Sequence, residues 1–176
     1  MRAVLRLAGR GLAAAVLVVA GVALLLGVLV PRVAGATPYT VATGSMEPTL
    51  GPGTLAVVRP VDTAAVATGD VLTYQLRSGE PTVVTHRVVG LGTTAGGERT
   101  FVTRGDANEV ADVTPVRAVQ VRGTLWYAVP WLGHVSSLAS GQQRQALGGI
   151  VAVGLFGYAG WLLAGEIRAR RARAGT

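Results

Sequence analysis

From Gly11 to Val30 the chain reads GLAAAVLVVAGVALLLGVLV, about 20 residues without one charge. At roughly 1.5 Å per helical residue, such a segment covers a hydrocarbon core about 30 Å thick. Arg2, Arg6 and Arg10 stand before it. A cleavable export signal is the competing reading, because Ala34-Gly35-Ala36 would suit a cleavage site. Export signals carry apolar cores of about 7–15 residues, shorter than this one, so a retained anchor is expected.

A second uncharged stretch, Ala146 to Ala164, precedes a tail bearing Arg168, Arg170, Arg171 and Arg173. It could be a buried core helix, but its length and its Arg-rich flank favour a second span. By the positive-inside rule both termini are then cytoplasmic, and the residues between the spans lie outside. The expected order is a cytoplasmic Arg-rich N-terminus (1–10), a transmembrane helix (11–30) and an extracytoplasmic β-rich domain (31–145). A second transmembrane helix (146–164) and a cytoplasmic Arg-rich tail (165–176) complete it, making a multi-pass protein of the cell membrane. A net charge of +7 could otherwise point to nucleic acid. Many of the arginines sit at the chain ends beside the apolar stretches, so the bilayer is the expected partner and nucleic acid is not.

Between the spans the pattern changes to short runs rich in Val, Thr and Tyr, bounded by Gly, Pro and Asp. These are Thr54–Val58, Asp70–Leu76, Thr82–Leu91, Thr100–Arg104 and Pro115–Val129. They read as strands, with turns at Gly51-Pro52-Gly53, at Arg77–Pro81 and at Gly92–Glu98. The fold class expected is mostly β: one compact, largely antiparallel domain between two transmembrane helices. Trp126, Tyr127 and Trp131, around Pro130, suit either the headgroup layer or the core of the β domain.

Three segments of this domain could carry chemistry. Thr43-Gly44-Ser45-Met46-Glu47-Pro48-Thr49 holds a serine beside a glycine. There Gly44 would admit a close backbone, and Thr43 with the Ser45 N–H could receive an oxyanion. Val83-Val84-Thr85-His86-Arg87-Val88-Val89 holds one of two histidines. Thr103-Arg104-Gly105-Asp106-Ala107-Asn108-Glu109-Val110-Ala111-Asp112 is an acidic turn that lacks most EF-hand ligand positions. Singly, each reads as a turn or a structural strand residue. Together they supply a nucleophile, a base that works near neutral pH and an orienting carboxylate.

Composition narrows that chemistry. The chain has no cysteine, which excludes a thiol nucleophile and thiolate metal sites. All of its basic residues are arginine, so no Ser–Lys dyad can form within the chain. Imidazole, with an unperturbed pKa of about 6.5, is the remaining base for neutral conditions. His86 is the candidate; His134 lies close to the second apolar stretch.

At these residues the sequence resembles type I signal peptidases of the Ser/His kind, found in archaea, in the endoplasmic reticulum and in some Gram-positive bacteria. Residues Thr43–Thr49 resemble that family's Ser-Gly-Ser-Met-x-Pro-Thr box, and Gly69-Asp70-Val71 resembles its Gly-Asp-Ile/Val turn. Thr85-His86-Arg87-Val88 matches the box in which this branch has His where the ordinary bacterial branch has Lys. Gly105-Asp106-Ala107-Asn108 followed by Asp112 resembles its Gly-Asp-Asn-Asn box, with Ala107 replacing the first Asn. The resemblance runs from about Val41 to Asp112, and Thr43 replaces the usual first Ser while keeping a hydroxyl.

What it implies is a signal-peptidase-like β domain and a serine endopeptidase that removes signal peptides from exported precursors. Ser45 would be the nucleophile, His86 the general base, Asp112 the residue orienting His86, and Asp106 a supporting carboxylate. Specificity would be for small residues of the Ala-x-Ala kind. Secretory precursors are the implied partners, and no metal or organic cofactor is implied. Two rivals remain. One is a non-catalytic, membrane-anchored β domain that binds or scaffolds a partner; the other is a self-cleaving repressor-type protease, which two spans and the missing lysine both oppose.

Overall fold

Proline at position 31 shapes the start of the chain. Helix α1 (Arg2–Leu24) gives way to a π-helical turn, Leu25–Leu29, and then to the short α2 (Val30–Val33), with Pro31 in its first turn. A proline lacks the N–H for the helical ladder and crowds the carbonyl four residues back, so the regular ladder cannot run through it. The computed structural model describes residues 2–137, 153–154, 157–160 and 164–165. They belong to two units, one of residues 26–138 and one of residues 1–25 with 139–176. Among the described residues one helical stretch, Gly11–Val33, is long and apolar enough to cross a membrane. It is a little longer than the expected 11–30 span.

Most of the expected second span, 146–164, lies outside the described residues; those of it that are described, 153–154, 157–160 and 164, are helical. The expected tail, 165–176, lies outside them apart from Gly165, as do residues 138–145. After α2 the chain closes in a helix cap. Ala34 N–H bonds Val30 O, Ala36 N–H bonds Pro31 O, and Gly35 takes φ +65°. Ala34-Gly35-Ala36 is therefore a folded cap, and the Ala36 methyl packs with Leu55 and Val57.

The unit of residues 26–138 is built on one sheet of seven antiparallel strands in the order β1-β2-β7-β3-β4-β5-β6. The strands are β1 (Thr37–Thr40), β2 (Leu55–Arg59), β3 (Val71–Gln75), β4 (Val83–Thr93), β5 (Arg99–Arg104), β6 (Val116–Arg117) and β7 (Val121–Val129). A short helix α3 (Leu132–Ser137) follows. β1 was not among the expected strands; it carries Pro38 and sits at the sheet edge, where a missing N–H is tolerated.

Strand β3 is buried along its whole length because both faces are covered. Leu72 and Tyr74 pack with Val66, Val88, Phe101 and Val116, whereas Val71 packs with Met46 and Leu50. A third cluster joins Ala36, Leu55 and Val57 to Tyr127, Val129 and Leu132. The aromatic group before the second apolar stretch divides accordingly. Tyr127 joins the core and donates its hydroxyl to Leu26 O, Trp126 lies under the Arg59 guanidinium at 4.0 Å, and Trp131 is 81% exposed.

The run Pro115–Val129, expected as one strand, is two. A 3-10 turn, Ala118–Gln120, separates β6 from β7. The Gln120 side chain explains the break, since it accepts from Arg117 N–H and donates to the carbonyls of Gln75 and Leu76. β7 is also irregular. Its pairing with β3 slips between Gly123 and Val121, and its pairing with β2 slips between Tyr127 and Leu125. At Gly123, φ is +150° and a Cβ would lie 2.0 Å from Arg59 O, so only glycine fits this bulge. Gly123→Ala should therefore cost about 2 kcal/mol or more, read as a lowered Tm; an unchanged Tm would contradict this view of the bulge.

Candidate active site

The turn holding Ser45 is anchored from below. Thr43 is extended, Gly44–Met46 forms one 3-10 turn, and the Met46 side chain is buried against Leu50 and Val71. Glu47 N–H closes on Gly44 O, and Leu50 N–H on Met46 O. With Met46 held inward, the neighbouring Ser45 is half-buried and turns toward the sheet. The loop after β5 holds the turn from the other side. Ala107 N–H donates to Ser45 O at 3.0 Å, and a Cβ on Gly105 would lie 2.5 Å from that oxygen. Glycine at 105 is what permits this approach.

His86 stands on β4, opposite Leu72 of β3, and is 8% exposed. Its Nε2 is 3.2 Å from Ser45 Oγ, and its Nδ1 is 2.7 Å from Asp112 Oδ2. An ionised carboxylate only accepts, so Nδ1 carries the proton and the Nε2 lone pair faces the serine. The Thr43 hydroxyl lies 3.2 Å from Ser45 Oγ. Asp112 also receives hydrogen bonds on Oδ2 from Thr103 Oγ1 at 2.6 Å and from the Tyr74 hydroxyl at 3.1 Å. Burial pushes the Asp112 carboxyl up, but the bonds from His86, Thr103 and Tyr74 and the nearby imidazole outweigh it and hold the group below the usual carboxylate range. Burial raises the Tyr74 phenol to about 12, so it remains a donor.

Arg87, the next residue along β4, points to the opposite face. Its Nε and Nη2 grip Asp106 at 2.8 and 2.6 Å, its Nη1 donates to Gly69 O at 2.8 Å, and Thr49 Oγ1 donates to Asp106 Oδ2 at 2.6 Å. This clamp ties the serine turn, β4, the Gly69-Asp70 turn and the loop after β5 together. The hydrogen bond from Arg87 holds the Asp106 carboxyl low; burial opposes it, and the Thr49 bond and the charges of Arg87 and Arg104 add to it.

Of the residues expected from sequence, Ser45, His86 and Asp112 thus form one hydrogen-bonded chain with Thr43 beside it. Asp106 instead binds Arg87 and Thr49. Both aspartates of the acidic turn meet donors, the opposite of what a calcium loop needs. His134 is on α3, its ring filling the space above Gly53, where an added Cβ would meet Cε1 at 1.6 Å. Sequence reasoning missed Arg87, Thr49, Tyr74 and Thr103. The first two sit inside the boxes already singled out and Thr103 opens the third; Tyr74 carries no such signal. A cleft of about 750 Å³ opens beside the imidazole, walled by Tyr74, Val84, His86, Asp112 and Val113 among others.

A protein-family model described as signal peptidase, peptidase S26, matches residues 12–96. That match includes Ser45 and His86 and ends before Asp106 and Asp112. A curated relative, signal peptidase I W of Bacillus subtilis (strain 168), is 40% identical over 93 residues, which are 52% of this chain and 47% of the relative. The chain therefore spans about half the length of the curated relative it matches.

The clamp has a pH signature. A carboxyl whose folded pKa is depressed stabilises the fold fully above its unfolded value, about 3.9 for Asp, and that stability fades as pH falls through the lower folded value. Tm measured against pH should show wild type more stable than Asp106→Asn near neutrality, with the gap closing below about pH 4. A gap of constant size down to low pH would contradict the ion-pair account.

Proposed function

We propose that this chain is a membrane-anchored serine endopeptidase of the signal peptidase I type, acting on secretory precursors outside the membrane. The reading is carried by one observation, the approach of Ser45 Oγ to His86 Nε2 at 3.2 Å with Asp112 at 2.7 Å from the other ring nitrogen. The likeness to the signal peptidase family model and to the Bacillus relative supports it independently. The pairing of serine with histidine in a chain without lysine favours the Ser/His branch of the family.

In this reading Ser45 attacks the scissile carbonyl as His86 takes its proton. The tetrahedral oxyanion receives the Ser45 N–H and the Thr43 hydroxyl. His86 then protonates the leaving amine, which departs as the mature protein, and the signal peptide stays esterified to Ser45. Water, deprotonated by His86, releases it as a free acid and restores the serine. Asp112 keeps Nδ1 protonated and stabilises the imidazolium, while Asp106 acts through structure by clamping the turn that holds Ser45.

The membrane supplies position. Leu12, Val16, Val18 and Val19 on the apolar helix are each more than half exposed, which suits lipid contact. Ser45 follows Leu29 by only about 15 residues, which caps its distance from the end of the anchor at roughly 50 Å, on the side where the cleavage site of a precursor emerges. Both termini would be cytoplasmic, with residues 31–145 outside and 146–164 as the second span. Sharing the bilayer with a precursor also raises the effective concentration of the cleavage site.

The test uses the full chain in lipid vesicles with a secretory precursor bearing an Ala-x-Ala cleavage site. Wild type should release the mature protein, and Ser45→Ala and His86→Ala should each lower the rate by roughly 10⁴-fold or more at unchanged Tm. Cleavage that persists in Ser45→Ala would rule the reading out. A wild-type chain that binds the precursor but leaves it intact would favour a binding module instead.

A further inference from the structure

The geometry points to Tyr74 and Thr103 as positioning residues that hold Asp112 in the orientation His86 needs. This rests on the peptidase reading above. Asp112 lies in an irregular segment whose neighbours Val110 and Val113 are 75% and 99% exposed, so little around its backbone restrains it. A single main-chain bond, Asp112 N–H to Thr103 O at 2.8 Å, ties it to the sheet. That bond places the Cα but leaves the carboxylate free to rotate.

Three adjacent strands supply the missing restraint. β3 contributes Tyr74, β4 contributes His86 and β5 contributes Thr103, and all three point to the same face of the sheet. Tyr74 pairs with Val84, two residues before His86, and Thr103 pairs with Val88, two residues after it. Side chains two apart on a strand share a face, so the register alone brings the donors to one place. All three converge on one oxygen, Asp112 Oδ2.

Tyr74 and Thr103 are buried in rigid strands, at 5% and 0% exposure, and their hydroxyl oxygens lie 3.2 Å apart. With both hydroxyls donating, Oδ2 has no need of a proton and the ionised carboxylate is favoured. An ionised Asp112 in turn requires a donor at His86 Nδ1, which leaves Nε2 as the acceptor facing Ser45. Without the two hydroxyls the carboxylate could swing toward the cleft and water, and the ring would lose both its tautomer preference and its aim. Neither residue touches the reacting atoms; each acts through Asp112.

The experiment compares Tyr74→Phe, Thr103→Val, their double variant and Thr103→Ser in the vesicle assay, with Ser45→Ala as the inactive control. Each of the two deletions keeps the volume of its side chain and removes one hydroxyl. Each should lower kcat about tenfold, with KM changed by less than about twofold and Tm close to wild type. The double variant should lose more, and Thr103→Ser, which keeps the hydroxyl, should recover most of the rate. A double variant that folds and retains wild-type kcat would overturn the proposal, as would a loss seen in KM alone. If Thr103→Val misfolds, Tyr74→Phe set against Thr103→Ser decides the question by the same split. A wild-type chain that leaves the precursor intact would instead point to failure of the peptidase reading itself.

Discussion

The His86 imidazole is held at both ring nitrogens, by Ser45 Oγ on one side and Asp112 Oδ2 on the other. Neither partner lies on a strand, Ser45 coming from a single 3-10 turn and Asp112 from an irregular segment, so the arrangement depends on how these two segments are pinned against the strand carrying the histidine. The serine turn is pinned from inside by Met46 and from outside by Ala107 N–H. The Asp112 segment is pinned by the main chain and hydroxyl of Thr103 and by Tyr74. Strand β4 serves both faces, presenting His86 to one and Arg87 to the other, where Arg87 binds Asp106 and the carbonyl of Gly69. Two carboxylates from one loop therefore do different work on opposite sides of one strand.

That division was only half legible beforehand. Ser45, His86 and Asp112 stood out because their residue types and boxes carry a recognisable chemistry. The preference between Asp106 and Asp112 for His86 came from resemblance, since a gap in sequence gives no distance. The two acids separate in space because Gly105 lets the chain turn tightly over Ser45 O before Asp112 returns to Thr103. Tyr74 was invisible for a plainer reason. A tyrosine on the core face of a strand looks like packing, and only the register of β3 on β4 shows that its hydroxyl reaches a carboxylate.

The fold was legible where local pattern and tertiary context agree. The runs starting at Thr54, Asp70, Thr82 and Thr100 are strands within a residue or two of their expected bounds. Where a single side chain redirects the backbone, pattern failed. Gln120 breaks the apparent strand from Pro115 to Val129 by bonding across to Gln75 and Leu76, contacts that periodicity does not report. β1 was hidden by its proline, which an edge position accommodates. The apolar N-terminal run was clear from its length alone, whereas the π turn before Pro31 appears only in the backbone.

The absence of cysteine from the chain permits a direct test of the acid–base coupling on which this account stands. Ser45→Cys introduces a lone thiol at the position of the proposed nucleophile, and its rate of alkylation by iodoacetamide against pH reports its ionisation without any substrate. With His86 in place the thiol should titrate well below the usual value of about 8.5, and His86→Ala in the same background should return it to that value. A thiol that titrates near its ordinary value whether or not His86 is present would contradict the account.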